Sequence, residues 1–282
     1  MFLSDKWKDY SIIDAGDGSK LERWKDVTLL RPEPQAVWPM KNHSADAVYI
    51  RSKSGGGHWE FFRDLPESWR ICYKDLAFIV RPTGFKHTGL FPEQAVNWDW
   101  MRGLIKKRSA PVKVLNLFAY TGGATCALLK EGAEVCHVDA AKGIVSWAKE
   151  NVALNGLQER KARFIVDDCV KFVRREIRRN NRYDAILMDP PSYGRGPTGE
   201  MWRMEADLYA LVKDCATLLS DEPCFFLLNS YTTGLAPSVL SNVLELALPK
   251  GTIAAEEIGL PIERGGLVLP CGASVRWTPA KD

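Results

Sequence analysis

From about Val112 onward, short apolar runs alternate with amphipathic stretches, and this alternation limits the fold more than any other feature of the chain. The runs are "VKVLNLF", "EVCHVDA", "ARFIVDD", "YDAILMD" and "CFFLLNS". Between them lie helical patterns over about 123–131, 141–155, 168–180 and 202–219. A run of about five apolar residues bounded by turn formers reads as a strand buried on both faces. Strands alternating with helices give a parallel, doubly wound sheet. After a further helix near 236–248 come "TIAAEEIGLP" and "GGLVLPCGASVRW", joined only by "IERGG". So short a join makes an antiparallel hairpin. The expectation is an α/β fold with a mostly parallel, seven-stranded sheet that ends in an antiparallel C-terminal hairpin.

Residues 1–84 are written differently, rich in Trp, Gly, Pro and β-formers. "AVYIRSKSGGGHWEFF" is two strand-like runs around a Gly-rich turn, a hairpin signal. Gly55, Gly56 and Gly57 have the flexibility to cradle a phosphate, but no helix start follows, and a plain turn is the simpler reading. The chain therefore divides into a small β-rich domain over 1–84 and an α/β domain over 85–282. The 282 residues are 46% apolar and 26% charged, enough for a folded core in each. No run approaches the ~18 apolar residues of a membrane span. The start, "MFLSDKWKDYSIIDAGDG", lacks a signal-peptide pattern. Seven cysteines without a C-x-x-C pair point to reduced thiols and a cytoplasmic location. Four scattered histidines give no metal-ligand spacing. A net charge of +3 permits a nucleic-acid partner without arguing for one, and a homo-oligomer stays open.

Each strand of the alternating half ends in polar residues. The first leads into "FAYTGGAT", where Gly122 and Gly123 allow close backbone approach and open a helix whose N-terminus favours a carboxylate or phosphate. The second ends at Asp139, the third at Asp167 and Asp168, the fourth at Asp189. Pro190 and Pro191 stop the fourth strand abruptly, since neither can donate to a sheet ladder. In open α/β sheets this edge binds ligands. Neither G-x-G-x-x-G nor G-x-x-x-x-G-K-[ST] occurs, and several carboxylates would repel a pyrophosphate. They suit a ligand with ribose hydroxyls, an exocyclic amine and a positive charge, as in S-adenosylmethionine. Asp139 and Asp168 also fit plain helix N-caps, and Asp168 can do both jobs.

These residues resemble the class I S-adenosylmethionine-dependent methyltransferases, with a Rossmann-like fold. The likeness is greatest to the bacterial 23S rRNA group that includes cytosine-C5 and guanine-N7 enzymes. "LNLFAYTGGAT", "VDAAKGIVSWAKENVALNG", "VDDCVKFV" and "MDPPSYG" resemble its successive motifs, and "FKHTGLFPEQ" its motif at the domain entrance. The resemblance implies that Phe118, Ala119, Tyr120, Thr121, Gly122 and Gly123 surround the methionine part and ribose. It implies that Asp139 binds the ribose hydroxyls and Asp168 the adenine amine. Asp189 and Pro190 would sit beside the transferring methyl, with Glu93 and Gln94 closing over the cofactor. Ala95 stands where the family carries an Arg after the acid–Gln pair.

Methyl transfer from a sulfonium is an in-line displacement that needs an aimed nucleophile and a dry pocket, but no metal. For a ring nitrogen or amine, Asp189 and the Pro190 carbonyl can accept hydrogen bonds, with Tyr193 stacking on an extruded base. Tyr193 as a packed loop aromatic is the plainer alternative. Carbon-5 methylation of a pyrimidine needs a thiolate that adds to the ring. The resembled cytosine enzymes carry that cysteine just after strand five. Here the segment reads Asn229, Ser230, Tyr231, Thr232. Cys224 lies inside "CFFLL" and Cys271 on the far hairpin. The leading expectation is a methyltransferase acting on RNA, ribosomal RNA by resemblance, at a base nitrogen. The alternatives are a small-molecule or protein methyltransferase, or a non-catalytic cofactor-binding protein.

Overall fold

The structure is a computed structural model that describes residues 1–52, 56–195, 201–232 and 234–280. Gly55 of the glycine turn and Gly196 after "DPPSYGR" lie outside the described residues. Contacts gather the chain into two compact units. One holds Met1–Phe2, Asn97–Glu257 and the stretch from Gly272 onward; the other holds Leu3–Val96 with Ile258–Cys271.

The second unit is β-rich. After the two-residue β1 (Phe2–Leu3), its strands are β2 (Tyr10–Gly16), β3 (Ser19–Trp24), β4 (Val27–Pro32), β5 (Ala47–Arg51) and β6 (Gly57–Phe61). These five pair in the order β2-β3-β4-β5-β6, and β7 (Trp69–Tyr73) with β8 (Leu76–Val80) forms a separate hairpin. The expected hairpin around the glycines is β5–β6, antiparallel, with Tyr49 opposite Trp59. Alternation places Trp24, Leu29 and Ile12 on an inner face, all fully buried. Glu22 is on that face too. It is held by Arg31 through Nε to Oε2 at 2.5 Å and Nη2 to Oε1 at 2.8 Å, while the Tyr10 hydroxyl donates to Oε1 at 2.7 Å.

The first unit is the α/β part. Helix α1 (Ala95–Ile105) leads to β9 (Lys113–Leu117), α2 (Gly123–Lys130), β10 (Glu134–Asp139), α3 (Lys142–Leu154), β11 (Ala162–Val166), α4 (Cys169–Arg178) and β12 (Ala185–Met188). Then follow β13 (Tyr193–Arg195), β14 (Met201–Arg203), α5 (Met204–Ala216), β15 (Phe225–Ser230), α6 (Pro237–Ala247), β16 (Gly251–Pro261) and β17 (Val268–Pro279). The main sheet runs β1-β16-β17-β15-β12-β9-β10-β11: the seven expected strands plus the short β1. Strands β11, β10, β9, β12 and β15 are parallel, and β17 joins β15 antiparallel. The centres of β9, β10, β12 and β15 are buried on both faces, as their apolar runs require, whereas β11, at the edge of the sheet, is half-exposed along its length and departs from the doubly buried strand its apolar run predicts. Leu115, Val138, Phe172, Ile186, Met204 and Phe226 sit in one continuous core. Each such fully buried side chain contributes about 1.5–3 kcal/mol. The helix expected from 202 begins at Met204 instead, because residues 201–203 pair as β14 against β13.

Candidate active site

The register of the parallel strands puts every polar terminus on one edge. Val138 lies beside Leu117, Asp139 beside Val166, and Met188 beside Leu117 on the other flank. Across that edge the chain therefore presents Asp167 and Asp168, then Asp139, then the segment from Phe118, then Asp189. This is the carboxyl end of the sheet, where an α/β fold leaves a crevice.

The segment after β9 is held in an unusual shape. Phe118, Tyr120 and Gly122 all have positive φ, at 54°, 50° and 82°. Glycine adopts this region freely, but two aromatic residues do so at a cost of order 1–3 kcal/mol each. The surroundings fix them. The Phe118 N–H donates to Cys169 Sγ at 3.3 Å, Ala119 N–H to the Val138 carbonyl at 3.1 Å, and Tyr120 N–H to Asp139 Oδ2 at 3.0 Å. Asn151 of α3 donates to the Thr121 carbonyl at 2.8 Å. A Cβ on Gly122 would come within 3.0 Å of the Ala148 methyl, so α3 packs directly on this turn. Gly122 is the N-cap of α2 and offers no side-chain acceptor, which leaves the helix's opening amides without an internal cap.

Asp139 is half-buried and receives backbone donors on both oxygens: Tyr120 on Oδ2 and Ala141, at 3.0 Å, on Oδ1. Burial raises its carboxyl above the ordinary aspartate range, against the opposing pull of the Ala141, Tyr120 and Ala140 amides. It does not act as the N-cap of α3, a position held by Ala141. Asp168 does cap: its Oδ1 accepts from the Lys171 N–H at 2.9 Å at the start of α4. Asp167 pairs with Arg175, nearly two turns into the same helix. Glu93 and Gln94 belong to the β-rich unit, buried in a single 3₁₀ turn, Pro92–Gln94. The Pro92 carbonyl in that turn takes the Ser4 hydroxyl at 2.8 Å and the Trp7 indole at 2.9 Å.

Beyond Asp189, Pro190 is buried while Pro191 and Ser192 are exposed. Tyr193 opens the β13–β14 hairpin and is 53% exposed, its hydroxyl 3.0 Å from Met201 Sδ. Such exposure does not match a packed loop aromatic. Trp202 on the facing strand donates to the Pro191 carbonyl at 2.6 Å and packs on Phe118 at 5.6 Å between ring centroids. One indole thus joins the segments after β9 and after β12. Thr232, past β15, donates to the Ser192 hydroxyl at 2.7 Å. Asn229 is turned inward: its Oδ1 accepts from Asn97, in a buried group with Ser274 and Arg276.

Trp202, Cys169 and Asn151 were not singled out by the sequence reading. Only Cys169, next to Asp168 in a helix's first turn, carried a local signal. Six buried thiols are held in the protonated form. Burial raises Cys126 to about 12 and Cys136 to about 11, and raises Cys169, Cys215, Cys224 and Cys271 as well. His137 is buried under α2, bonded to Thr125 at 2.9 Å, and burial lowers it to about 3. No group of three metal-ligating side chains occurs among the described residues, and no helix among them is long and apolar enough to cross a membrane.

A doubly wound sheet with a glycine turn after its first strand and acids after the next three defines a nucleotide-cofactor enzyme class. The family model of the S-adenosylmethionine-dependent methyltransferases matches residues 49–239, and the chain belongs to that family. It is similar to a SAM-dependent methyltransferase from Agrobacterium tumefaciens, at 36% identity over 99% of this chain and 93% of that one, with a TM-score of 0.94. A methyltransferase from Streptococcus mutans shares the fold, at 18% identity and a TM-score of 0.74, over 97% of this chain and 76% of that one. Among curated proteins, the ribosomal RNA large subunit methyltransferase K/L of Shewanella baltica is 37% identical over 77% of this chain and 29% of its own length. The chain thus spans about three tenths of that relative.

The family's cofactor, S-adenosylmethionine, suits the donor set present. An uncapped helix start matches its carboxylate, and half-buried aspartates match hydroxyls and cationic groups. When bound, it supplies an electrophilic methyl on a sulfonium centre.

Proposed function

We propose that this methyltransferase modifies RNA, specifically ribosomal RNA, at a base nitrogen. The RNA substrate is supported by the likeness to the Shewanella baltica enzyme across 77% of this chain. The nitrogen target is supported by the end of β15 and the residues after it, which read Asn229, Ser230, Tyr231 and Thr232 where a cysteine mechanism needs a thiolate. The raised thiols elsewhere agree with that.

In this reading the amides opening α2, with Phe118, Ala119, Tyr120, Thr121, Gly122 and Gly123, hold the amino-acid part of the cofactor. Asp139 accepts from the ribose hydroxyls and Asp168 from the adenine amine. Glu93 and Gln94 close over the cofactor. Asp189 and the Pro190 carbonyl accept hydrogen bonds from the target base and aim its lone pair at the methyl. Rigid aiming contributes to the rate because an in-line displacement tolerates little angular error. Tyr193, already exposed on its hairpin, stacks on the base. The enzyme would work in the cytoplasm, where its substrate is.

The test is incubation of bulk RNA with the protein and isotopically labelled S-adenosylmethionine, followed by nucleoside mass spectrometry. A labelled methyl on a ring or exocyclic nitrogen is expected. Label on carbon 5, or label only in protein or metabolites, would refute the reading.

A further inference from the structure

The edge of the five-stranded sheet in the β-rich unit has an unusual surface. Phe61 at the end of β6 is 53% exposed, and Phe62 beside it 66%. The Trp59 ring lies nearly parallel to that of Phe61, 6.5 Å away with 28° between planes. The Trp59 indole donates to the Thr83 carbonyl at 2.9 Å, tying β6 to the loop that follows β8. In that loop the Thr83 hydroxyl accepts from the Phe85 N–H at 3.2 Å and donates to the His87 carbonyl at 2.8 Å. A short turn so folded around a hydroxyl projects the Phe85 ring outward, 68% exposed. Leaving Phe61 and Phe85 exposed forgoes stabilisation, and the Trp59–Thr83 bond ties their two segments together, so these rings mark a surface that meets a partner.

The charge says which kind. Arg51, last residue of β5, is exposed and forms no ion pair among the described residues; Lys86, next to Phe85, is half-buried and forms no salt bridge among them, with Glu33 facing it against the three cations Lys20, Arg31 and Arg51. The neighbouring cations Lys20 and Arg31 are by contrast matched by Glu33 at 3.2 Å and Glu22 at 2.5 Å. On β5 and β6 the side carrying Trp59 and Phe61 also carries Arg51 but no acid; Glu60 is on the opposite side. Exposed rings with unpaired cations suit a chain that is both aromatic and anionic. A second copy of this surface would bring like charges together, and His58 and Glu60 guard the open strand edge against pairing.

We propose that this surface is a platform for single-stranded RNA, with bases stacking on Phe61 and Phe85 and phosphates meeting Arg51 and Lys86. The proposal rests on RNA being the substrate and adds where that substrate is gripped outside the reacting centre.

The test uses the full chain with fluorescently labelled single-stranded RNA of mixed sequence. Anisotropy gives the affinity at several salt concentrations, calorimetry the affinity for S-adenosylmethionine, and circular dichroism the fold. Phe61→Ala and Phe85→Ala should each weaken RNA binding about 5- to 150-fold, the range for one lost stacking ring. Arg51→Ala should flatten the log affinity against log salt slope by about 0.7, the value for one single-strand phosphate. Cofactor affinity and fold should not change. RNA affinity within twofold of the parent in all three folded variants would overturn the proposal. So would self-association abolished by Phe61→Ala, which would assign the surface to a second copy. RNA methylation persisting with unchanged RNA affinity in these variants would sink the platform alone. Labelled methyl found only in protein or metabolites would sink the RNA substrate itself.

Discussion

Two carboxylates, one in each unit, show how differently the molecule treats negative charge. Glu22 is fully buried in the β-rich unit, clasped by Arg31 on both oxygens. Burial alone would raise its carboxyl, but Arg31, Lys20 and the Tyr10 hydroxyl bring it down to about 2. Asp139 is half-buried at the sheet edge and, among the described residues, meets only backbone amides, and burial wins: its carboxyl is raised. Every lone pair of Glu22 that a partner can reach is spent inside the fold. Asp139 is oriented by Tyr120 and Ala141 yet balanced by no cation among the described residues. Charge compensated within the protein belongs to stability, whereas charge left for a cation or hydroxyl from outside belongs to a site.

The largest expected effect follows from Glu22. Glu22→Ala removes one partner and leaves Arg31 buried and uncompensated, at an expected cost of about 3–5 kcal/mol. Chemical denaturation of the variant checks it. Because the folded carboxyl lies near 2 and the ordinary value is 4.5, the parent should hold this contribution above about pH 4.5 and lose it as pH falls toward 2. A loss below 1 kcal/mol would place Glu22 outside the stabilising framework and erase the contrast.

Asp189 comes next. Asp189→Asn should reduce turnover on RNA by ~100- to 1,000-fold while cofactor affinity stays within about threefold, since its proposed work is on the acceptor in the transition state. Steady-state kinetics with calorimetry separate the two quantities. A fall confined to cofactor affinity would make Asp189 a binding residue of the same kind as Asp139.

Asp139→Ala should weaken S-adenosylmethionine by about 1–3 kcal/mol, the cost of leaving ligand hydrogen bonds unmade. Its pH behaviour runs opposite to that of Glu22. A raised carboxyl disfavours the ionised form in the folded state, so its contribution to stability is present at low pH and lost as pH rises through the raised value. Cofactor affinity should move the other way, falling on acidification already above the usual aspartate range as the acceptor is protonated. Calorimetry across pH 4–8 tests this (an order-of-magnitude window for a raised carboxyl). Affinity insensitive to both mutation and pH would sever Asp139 from the ribose.

The contrast also shows what could be read from sequence. The α/β half was legible because each strand is a closed local signal: an apolar run, a turn former, an acid. Asp139, Asp168 and Asp189 follow from that signal plus the rule that a parallel sheet aligns its ends. In the β-rich unit the sequence signal pointed to β5–β6 alone, although β2–β3, β3–β4 and β7–β8 are also antiparallel pairs, each joined by two residues. The pairing of β4 with β5 is parallel and bridges a 14-residue gap, and β2 carries a bulge between Ile12 and Asp14; neither leaves a local mark. The gathering of Ile258–Cys271 with residues from the chain's start is likewise purely long-range. Trp202 carries no local signal because its role depends on the pairing of two three-residue strands, which brings it to Pro191 and Phe118. The positive φ of Phe118 and Tyr120 runs against local preference. It becomes intelligible only with Cys169, Val138 and Asp139 in place to receive the three amides.

Asp168 lies between the two extremes and carries the smallest expected effect. Its Oδ1 is engaged by the Lys171 amide, as in any capped helix, yet it stands on the same sheet edge as Asp139. Asp168→Ala should cost about 1 kcal/mol of stability, the usual value of a lost N-cap, and should also weaken the cofactor. Asp168→Asn separates the two roles. Asparagine caps helices as well as aspartate does, so stability should return to that of the parent. It also keeps a carbonyl oxygen that can accept from an adenine amine, so affinity should recover with it. Denaturation midpoints and calorimetry on the two variants decide the matter. Should Asp168→Ala lose stability with its cofactor affinity intact, Asp168 would join Glu22 as a residue spent on the fold. The acidic edge facing the cofactor would then narrow toward Asp139 and Asp189.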